Sequence, residues 1–306
     1  MLDYYNMLRV AWEENYVLPV PANHRFPMSK YEVLPEQLIH EGTIGKGNLF
    51  RPGKVDERWI LGVHDRDYWE RLKARELSAK EMRRTGFTMS QALVDREVTI
   101  VQGTLACTEY ALLHGIAMNI AGGTHHAFTN RGEGFCLLND IAAAANYLLE
   151  TKRARKILVV DLDVHQGNGT AEIFRNESRV FTFSMHGAHN YPLVKETSDR
   201  DVGLPDGTDD RLYLTTLDRE LKTLLDKVGP DFIFYQSGVD ILGTDALGRL
   251  GVSQAGCRQR DSMVFRLAKD NRIPVVASMG GGYSREFRHI IDAHANTFRE
   301  AQYVFF

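Results

Sequence analysis

The sequence predicts an α/β fold: an open parallel sheet with helices on both faces, forming a single domain over residues 1–306. Three observations support this. Short runs of β-branched and aromatic residues recur without polar alternation, which is how strands buried on both faces read. Helix-like stretches separate those runs, and strand–helix alternation favours right-handed crossovers within one parallel sheet. Small or polar turns, rich in glycine, follow the apolar runs directly. The 43% hydrophobic and 25% charged residues are globular values, and 306 residues can bury a core without covalent staples.

In order along the chain, residues 31–40 and 67–77 read as helices, with Pro19, Pro21, Pro27 and Pro35 breaking the opening into loops. No composition shift separates the first hundred residues as a domain. They are expected to pack on the sheet and supply rim loops. Strands are expected at 116–120, 157–160, 180–183, 232–235 and 275–277. Helices are expected at 140–150, rich in Ala and Leu, and at 209–228, where Leu214, Leu217, Leu221, Leu224 and Leu225 recur at helical spacing. Residues 254–271 and 285–299 complete the pattern.

Several function classes fall away on composition. A net charge of -3 lacks the basic excess of a nucleic-acid-binding domain, so no direct nucleic-acid contact is expected. No run of 18 apolar residues offers a membrane span. The start, Met1 to Asn6, carries no basic region followed by an apolar stretch, so no secretory signal is expected. Cys107, Cys136 and Cys257 form neither a disulfide framework nor a CxxC site and read as thiols of a reducing cytosol.

Ligands of open α/β sheets bind beyond the carboxyl ends of the strands. In this chain those ends carry Gly122-Gly123-Thr124-His125-His126, Asp161-Leu162-Asp163-Val164-His165, Ser184-Met185-His186, Gln236-Ser237-Gly238-Val239-Asp240 and Gly280-Gly281-Gly282-Tyr283. One Asp after a strand is usually a helix cap. Five ends bearing carboxylates, histidines and a tyrosine are not explained by caps. Asp161, Asp163 and His165 alternate, and in extended backbone they share one side. Asp163 and His165 can share a metal, with Asp240 as third ligand and water as fourth, the arrangement of hydrolytic metal sites. Asp161 is read as a buried hydrogen-bond partner. His125-His126 follows two glycines that allow close approach, so acid–base work is credible there. Gly280-Gly281-Gly282 has no following Lys-Ser/Thr, so it reads as a turn presenting Tyr283 and not as a phosphate cradle.

At these residues the chain resembles the zinc-dependent histone deacetylases of the arginase/deacetylase fold. The resemblance runs from Val17 to Arg299 and includes His24-Arg25-Phe26-Pro27-Met28, Val63-His64-Asp65, Gly103-Thr104-Leu105, Gly134-Phe135-Cys136 and Gly167-Asn168-Gly169 beside the strand ends above. The compact length, Gln166, Asn168 and Arg84-Thr85-Gly86-Phe87 are most similar to the class IV branch. The resemblance implies Zn2+ on Asp163, His165 and Asp240, although two carboxylates and an imidazole also accept Fe2+ or Co2+. It implies His126 as general base and acid, His125 as an electrostatic partner oriented by Asp161, and Tyr283 as oxyanion donor. Asn168, where many relatives carry Asp, would orient His126 without adding charge. Gly134, Phe135, Tyr191 and Leu247 would line the acyl-lysine tunnel, with Gly281 and Gly282 at its inner end. A structural K+ or Na+ would sit near Asp161, Asp163, His165, Ser184 and Met185, and a second near Phe174 and Val180.

The activity so implied is hydrolysis of acyl-lysine in a protein or peptide, with acetyl or a longer fatty acyl group leaving. A long chain would need the room that Gly280-Gly281-Gly282 leaves, whereas closure by Met118 or Met279 would restrict the site to acetyl. An arginase-like hydrolase needs a second acid-rich strand end, which Asp240-Ile241-Leu242-Gly243 does not provide. An acetyl-polyamine deacetylase would want Glu where Leu247 stands. A non-catalytic acyl-lysine reader would not need the complete set of ligands, histidines and Tyr283. The cytoplasm is the expected compartment, or the nucleus in a eukaryotic source.

Overall fold

The apolar runs do become strands, and they assemble in parallel. The computed structural model describes residues 7–306; the segment Met1 to Asn6, read above for a secretory signal, lies outside the described residues. The strands are β1 (Arg9–Ala11), β2 (Leu49–Phe50), β3 (Ile116–Asn119), β4 (Ile157–Asp161), β5 (Val180–Gly187), β6 (Arg200–Leu204), β7 (Phe232–Gln236) and β8 (Val275–Ser278). They form one eight-stranded sheet in the order β2-β1-β3-β8-β7-β4-β5-β6. Every pairing is parallel. The chain leaves β3, builds β4, β5 and β6 outward, then returns to insert β7 and β8 between β3 and β4. The order therefore reverses at the sheet centre, where open α/β sheets place their ligands.

The helices are α1 (Lys30–His40), α2 (Glu57–Leu61), α3 (Arg66–Ala74), α4 (Ala79–Thr85), α5 (Gln91–His114), α6 (Asp140–Glu150), α7 (Asn168–Phe174), α8 (Asp210–Val228), α9 (Gln254–Asp270) and α10 (Phe287–Phe305). Packing divides the long ones into two layers, α5 with α6 and α7 on one face, and α1, α8, α9 and α10 on the other. Side-chain caps start several of them: Asn139, Asp209 and Ser253 accept the backbone N–H of Ala142, Leu212 and Gly256.

The five expected strands and the long helices are present, and the differences have physical reasons. Strands β1 and β2 are too short to show a pattern, and β6, an edge strand reading Arg-Asp-Val-Gly-Leu, is too polar. Helix α5 was not expected. It is buried almost all round, so it lacks an amphipathic stripe, and its buried faces include Arg96, Glu97, Thr99, Thr104 and Thr108. Gly103 within it reads as a breaker but is a contact residue: a Cβ there would come within 2.4 Å of the Tyr16 hydroxyl. Helix α3 stops at Ala74, before the expected 77, because Arg75 turns left-handed at φ 64°. Helix α10 runs to Phe305, past the expected 299.

Register concentrates polarity at one edge. Asn119, Ser278, Gln236, Asp161, Ser184 and Asp201 pair successively across six neighbouring strands. The level below is apolar, with Val160, Tyr235 and Ala277 buried in the three central strands. A one-residue slip would carry this polar row into the core, so the core fixes the site's register. Phe234, fully buried on β7, is a central part of that core. Phe234→Ala is expected to lower unfolding free energy by about 3–5 kcal/mol in chemical denaturation.

Candidate metal centre

Three loops after β3, β4 and β7 and a fourth after β8 converge over the polar edge. After β3, Gly122 and Gly123 turn the chain at φ +87° and +75°, and a Cβ on Gly123 would strike the Gln236 amide at 1.9 Å. Gln236 Nε2 donates to the Gly123 carbonyl at 2.8 Å. Asp140, at the start of α6, holds the same loop: its carboxylate accepts the N–H groups of Gly123 and Thr124 and the hydroxyls of Thr104 and Thr124. The tandem histidines are thereby fixed, with ring centroids 4.1 Å apart.

Past β4 the chain bends, so Asp163 and His165 project from a turn and not from the extended backbone expected. Asp161 Oδ1 accepts the Asp163 N–H at 3.2 Å and its Oδ2 lies 2.7 Å from His125 Nδ1. His165 Nδ1 lies 3.1 Å from both Asp163 Oδ1 and Asp240 Oδ2. One ligand atom from each of Asp163, His165 and Asp240 falls within 4.8 Å of the others, the one such group of three among the described residues. Backbone donors orient both carboxylates: Val164 N–H to Asp240 Oδ1 at 2.9 Å and Gly281 N–H to Asp163 Oδ2 at 2.8 Å. The fit to a single cation is steric as well. A Cβ on Gly281 would sit 2.0 Å from Asp240 Oδ2, and one on Gly238 2.1 Å from Asp163 Oδ2. Behind the site, the buried Arg260 donates to the carbonyls of Ser237 and Gly238 and pairs with Asp261. That clamp fixes the loop carrying Asp240.

Electrostatics separate the two histidines. Burial alone would lower His125, but Asp161 and Asp163 overcome it and raise it to about 9, so it is an imidazolium at neutral pH. His126 is pushed well below the ordinary histidine value by burial, and then by His125 and His165, so it is neutral. The Asn168 Oδ1 accepts the Gly169 N–H at 3.1 Å, which assigns that atom as the oxygen. It lies 2.6 Å from His126 Nδ1, so Nδ1 carries the proton and Nε2 keeps its lone pair. Burial, then the charges of Asp240 and Asp163, push the Tyr283 phenol well above its ordinary value, so it stays a donor.

The other expected residues fall as follows. Gly134 and Phe135, at φ +53° and +67°, are tied by their N–H groups to the carbonyls of Arg84 and Thr85. Phe135 and Tyr191 stand on the outer cleft with Leu247, and Tyr191 lies 5.0 Å from the His126 ring. Gly281 is at the ligands, but Gly282 faces α10, where a Cβ would meet Val239, His294 and Ile290. It does not line the inner cavity. That cavity is about 30 Å3 and reaches Tyr31, Arg96 and Ile100; neither Met118 nor Met279 borders it. Ser184 and Met185 are buried on β5 beside β4, while Phe174 and Val180 bracket the turn from α7 into β5, at the opposite edge of the sheet. His64 is a scaffold residue, 2.9 Å from the Phe128 carbonyl and accepting the Asn139 N–H. His186 is buried beside Ser184, and His189 is exposed on the rim. Sequence reasoning missed Lys30, Arg96, Gln236 and Arg260 as site-shaping groups. Lys30 is fully buried and donates to the Gly280 carbonyl at 2.9 Å. No local signal marks the charged ones: Arg96 stands between Asp95 and Glu97, Arg260 between Gln259 and Asp261, and Lys30 between Ser29 and Tyr31.

Residues 24–298 match the histone deacetylase domain family. An uncharacterised protein of Picosynechococcus is 42% identical over 296 residues, spanning 97% of this chain and 99% of its own. Histone deacetylase 2 of Arabidopsis thaliana is 31% identical over 278 residues, 88% of this chain and 72% of its own. Among solved structures, an HDAC homologue from Aquifex aeolicus superposes with a TM-score of 0.82 at 23% identity, covering 96% of this chain and 84% of its own; the shared fold is the content of that likeness.

Two outcomes test the site itself. Elemental analysis is expected to find one divalent ion per chain, and none in Asp240→Ala, which leaves two ligands; full occupancy in that variant would remove Asp240 from the ligand set. Because His126 is held well below its ordinary value of 6.5, any activity that needs it neutral should persist at neutral pH and fall only at a pH well below 6.5. A kcat/KM profile, with metal content followed in parallel, reads that limb.

Proposed function

Since the chain belongs to the histone deacetylase family, we propose that it hydrolyses the amide of an acetyl-sized acyl group on the ε-amine of lysine, with Zn2+ as its ion. One observation carries the reading: a neutral His126, its Nδ1 held by Asn168, lines the outer cleft beside His165 of the Asp163–His165–Asp240 cluster. When bound by those three residues, the ion would polarise the amide carbonyl and acidify a water beside it. His126 Nε2 takes the proton as that water attacks the amide carbon, then returns it to the departing amine. His125, charged and held by Asp161, supports the negative charge that grows on the carbonyl oxygen. Tyr283 donates its hydroxyl proton in a hydrogen bond to the same oxygen, an interaction that strengthens only toward the transition state.

The inner cavity, which also takes in Asp163 and His165, supports a small acyl group. About 30 Å3 holds about two waters, or a methyl of acetyl, and the buried Arg96 lines it. This supports acetyl over a long fatty chain. Leu247 on the cleft offers no charge to the second ammonium of a polyamine, which supports lysine.

Tyr283→Phe is expected to keep the metal while kcat falls on the order of 100- to 1000-fold; an unchanged kcat would reduce Tyr283 to packing. Turnover should stop with chelator and return with Zn2+. With one peptide bearing acetyl-, octanoyl- or myristoyl-lysine, kcat/KM should be highest for acetyl. A preference for myristoyl would show that Arg96 and Tyr31 move aside.

A further inference from the structure

The outer cleft carries a charge that neither the fold nor the chemistry of the metal centre requires. Three arginines line it, Arg25 from the loop before α1, Arg84 from the end of α4 and Arg249 from the loop beyond β7, and no carboxylate does. All three are exposed. Among the described residues no ion pair holds Arg25 or Arg84. Arg249 lies 3.4 Å from Asp206, which also lies 3.2 Å from His189, so one exposed acid is shared between two bases. Glu133, the acid next to the wall, is already engaged by the Tyr191 hydroxyl and by Arg131. The cleft is therefore a local positive field on a chain whose net charge is -3.

Exposed arginines without partners gain little for stability, but they present planar forks suited to carboxylates. From three separate places in the sequence they line the same outer cleft as His126, His165 and Tyr283. A lysine side chain reaching the metal ligands leaves its own backbone and neighbours at this rim. Basic neighbours there would meet like charge, and acidic ones would be paired.

Resting on the deacylase reading above, we propose that the substrate is an acyl-lysine within an acidic peptide segment, whose Asp or Glu carboxylates are taken by Arg25, Arg84 and Arg249. A lysine-rich tail or a polyamine is disfavoured by the same three groups.

The test uses the metal-loaded full chain and three acetyl-lysine peptides of equal length, flanked by Asp/Glu, by Ser/Gln or by Lys/Arg. Free Nε-acetyl-lysine is a fourth arm. Both kcat/KM and binding, by competition against a labelled peptide in fluorescence anisotropy, are measured at low salt and at about 0.5 M, where exposed charges are largely screened. The acidic peptide should exceed the basic one by roughly tenfold or more at low salt, with the ratio shrinking in high salt. The double variant Arg25→Gln/Arg84→Gln should bring the acidic-to-neutral ratio toward one. Equal or better use of the basic peptide at low salt, or an unaltered ratio in the double variant, overturns the proposal. Better use of free acetyl-lysine than of the acidic peptide also overturns it, in favour of a small acid. Binding keeps the two readings separable. The expected binding order without turnover of any peptide would sink the deacylase reading and leave the acidic preference standing. Turnover without charge order would do the reverse.

Discussion

The site depends on keeping two buried carboxylates next to each other. Asp163 and Asp240 both reach His165 Nδ1 at 3.1 Å, and both are buried. Like charges in a low-dielectric interior repel, and each buried ion needs hydrogen-bond partners. The chain meets this with main-chain donors from two loops, Val164 on Asp240 and His165 and Gly281 on Asp163. Even so, burial and the charge of Asp163 raise the Asp240 carboxyl to about 7. A divalent cation among these atoms would relieve that excess of negative charge. Folding thus assembles a cavity whose electrostatics are incomplete without an ion, and the sheet core makes the assembly stable.

The same constraint explains why two adjacent histidines behave oppositely. His125 faces the carboxylate Asp161 and is charged; His126 faces the amide of Asn168 and is neutral. An aspartate at 168 would supply a second nearby negative charge and favour imidazolium at His126. Asn168 keeps the orienting hydrogen bond and omits the charge. The contrast between the two histidines is therefore set by one side chain on α7 and one at the end of β4, more than by the histidines themselves.

Much of this was legible in the sequence. The central strands β3, β4, β5, β7 and β8 read as apolar runs, and the ligands follow them directly. The hidden parts share a cause: their pattern is defined only by tertiary neighbours. Helix α5 has no polar face because its neighbours cover it, so nothing in the local pattern marks Arg96 and Glu97 as a buried ion pair. Lys30 and Arg260 act through backbone carbonyls distant in sequence, Gly280 and Gly238, and no local spacing announces such contacts. The hydrogen-bonded pair His125–Asp161 was legible because its members sit at the ends of recognisable strands.

The glycine run after β8 shows how a local reading can assign the right residues for the wrong reason. Three glycines suggest room for a long acyl chain. Each one meets a different obstacle. A Cβ on Gly280 would meet the Gly238 backbone at 2.9 Å, one on Gly281 the metal carboxylates, and one on Gly282 the side chains of Val239, Ile290 and His294. Two of them, Gly280 and Gly282, also hold positive φ, at 68° and 155°. The run is thus a place where backbone passes between a neighbouring loop, a metal site and a helix with no space to spare. Gly280 and Gly281 border the inner cavity, and the run also positions Tyr283, whose N–H reaches Asp245 at 2.6 Å and whose ring closes on Phe26, Phe135 and His165. The depth of the pocket is set elsewhere, by Tyr31, Arg96 and Ile100 from α1 and α5. Arg96, held by Glu97 in a buried ion pair, thus borders the cavity from the region whose structure was least visible in the sequence.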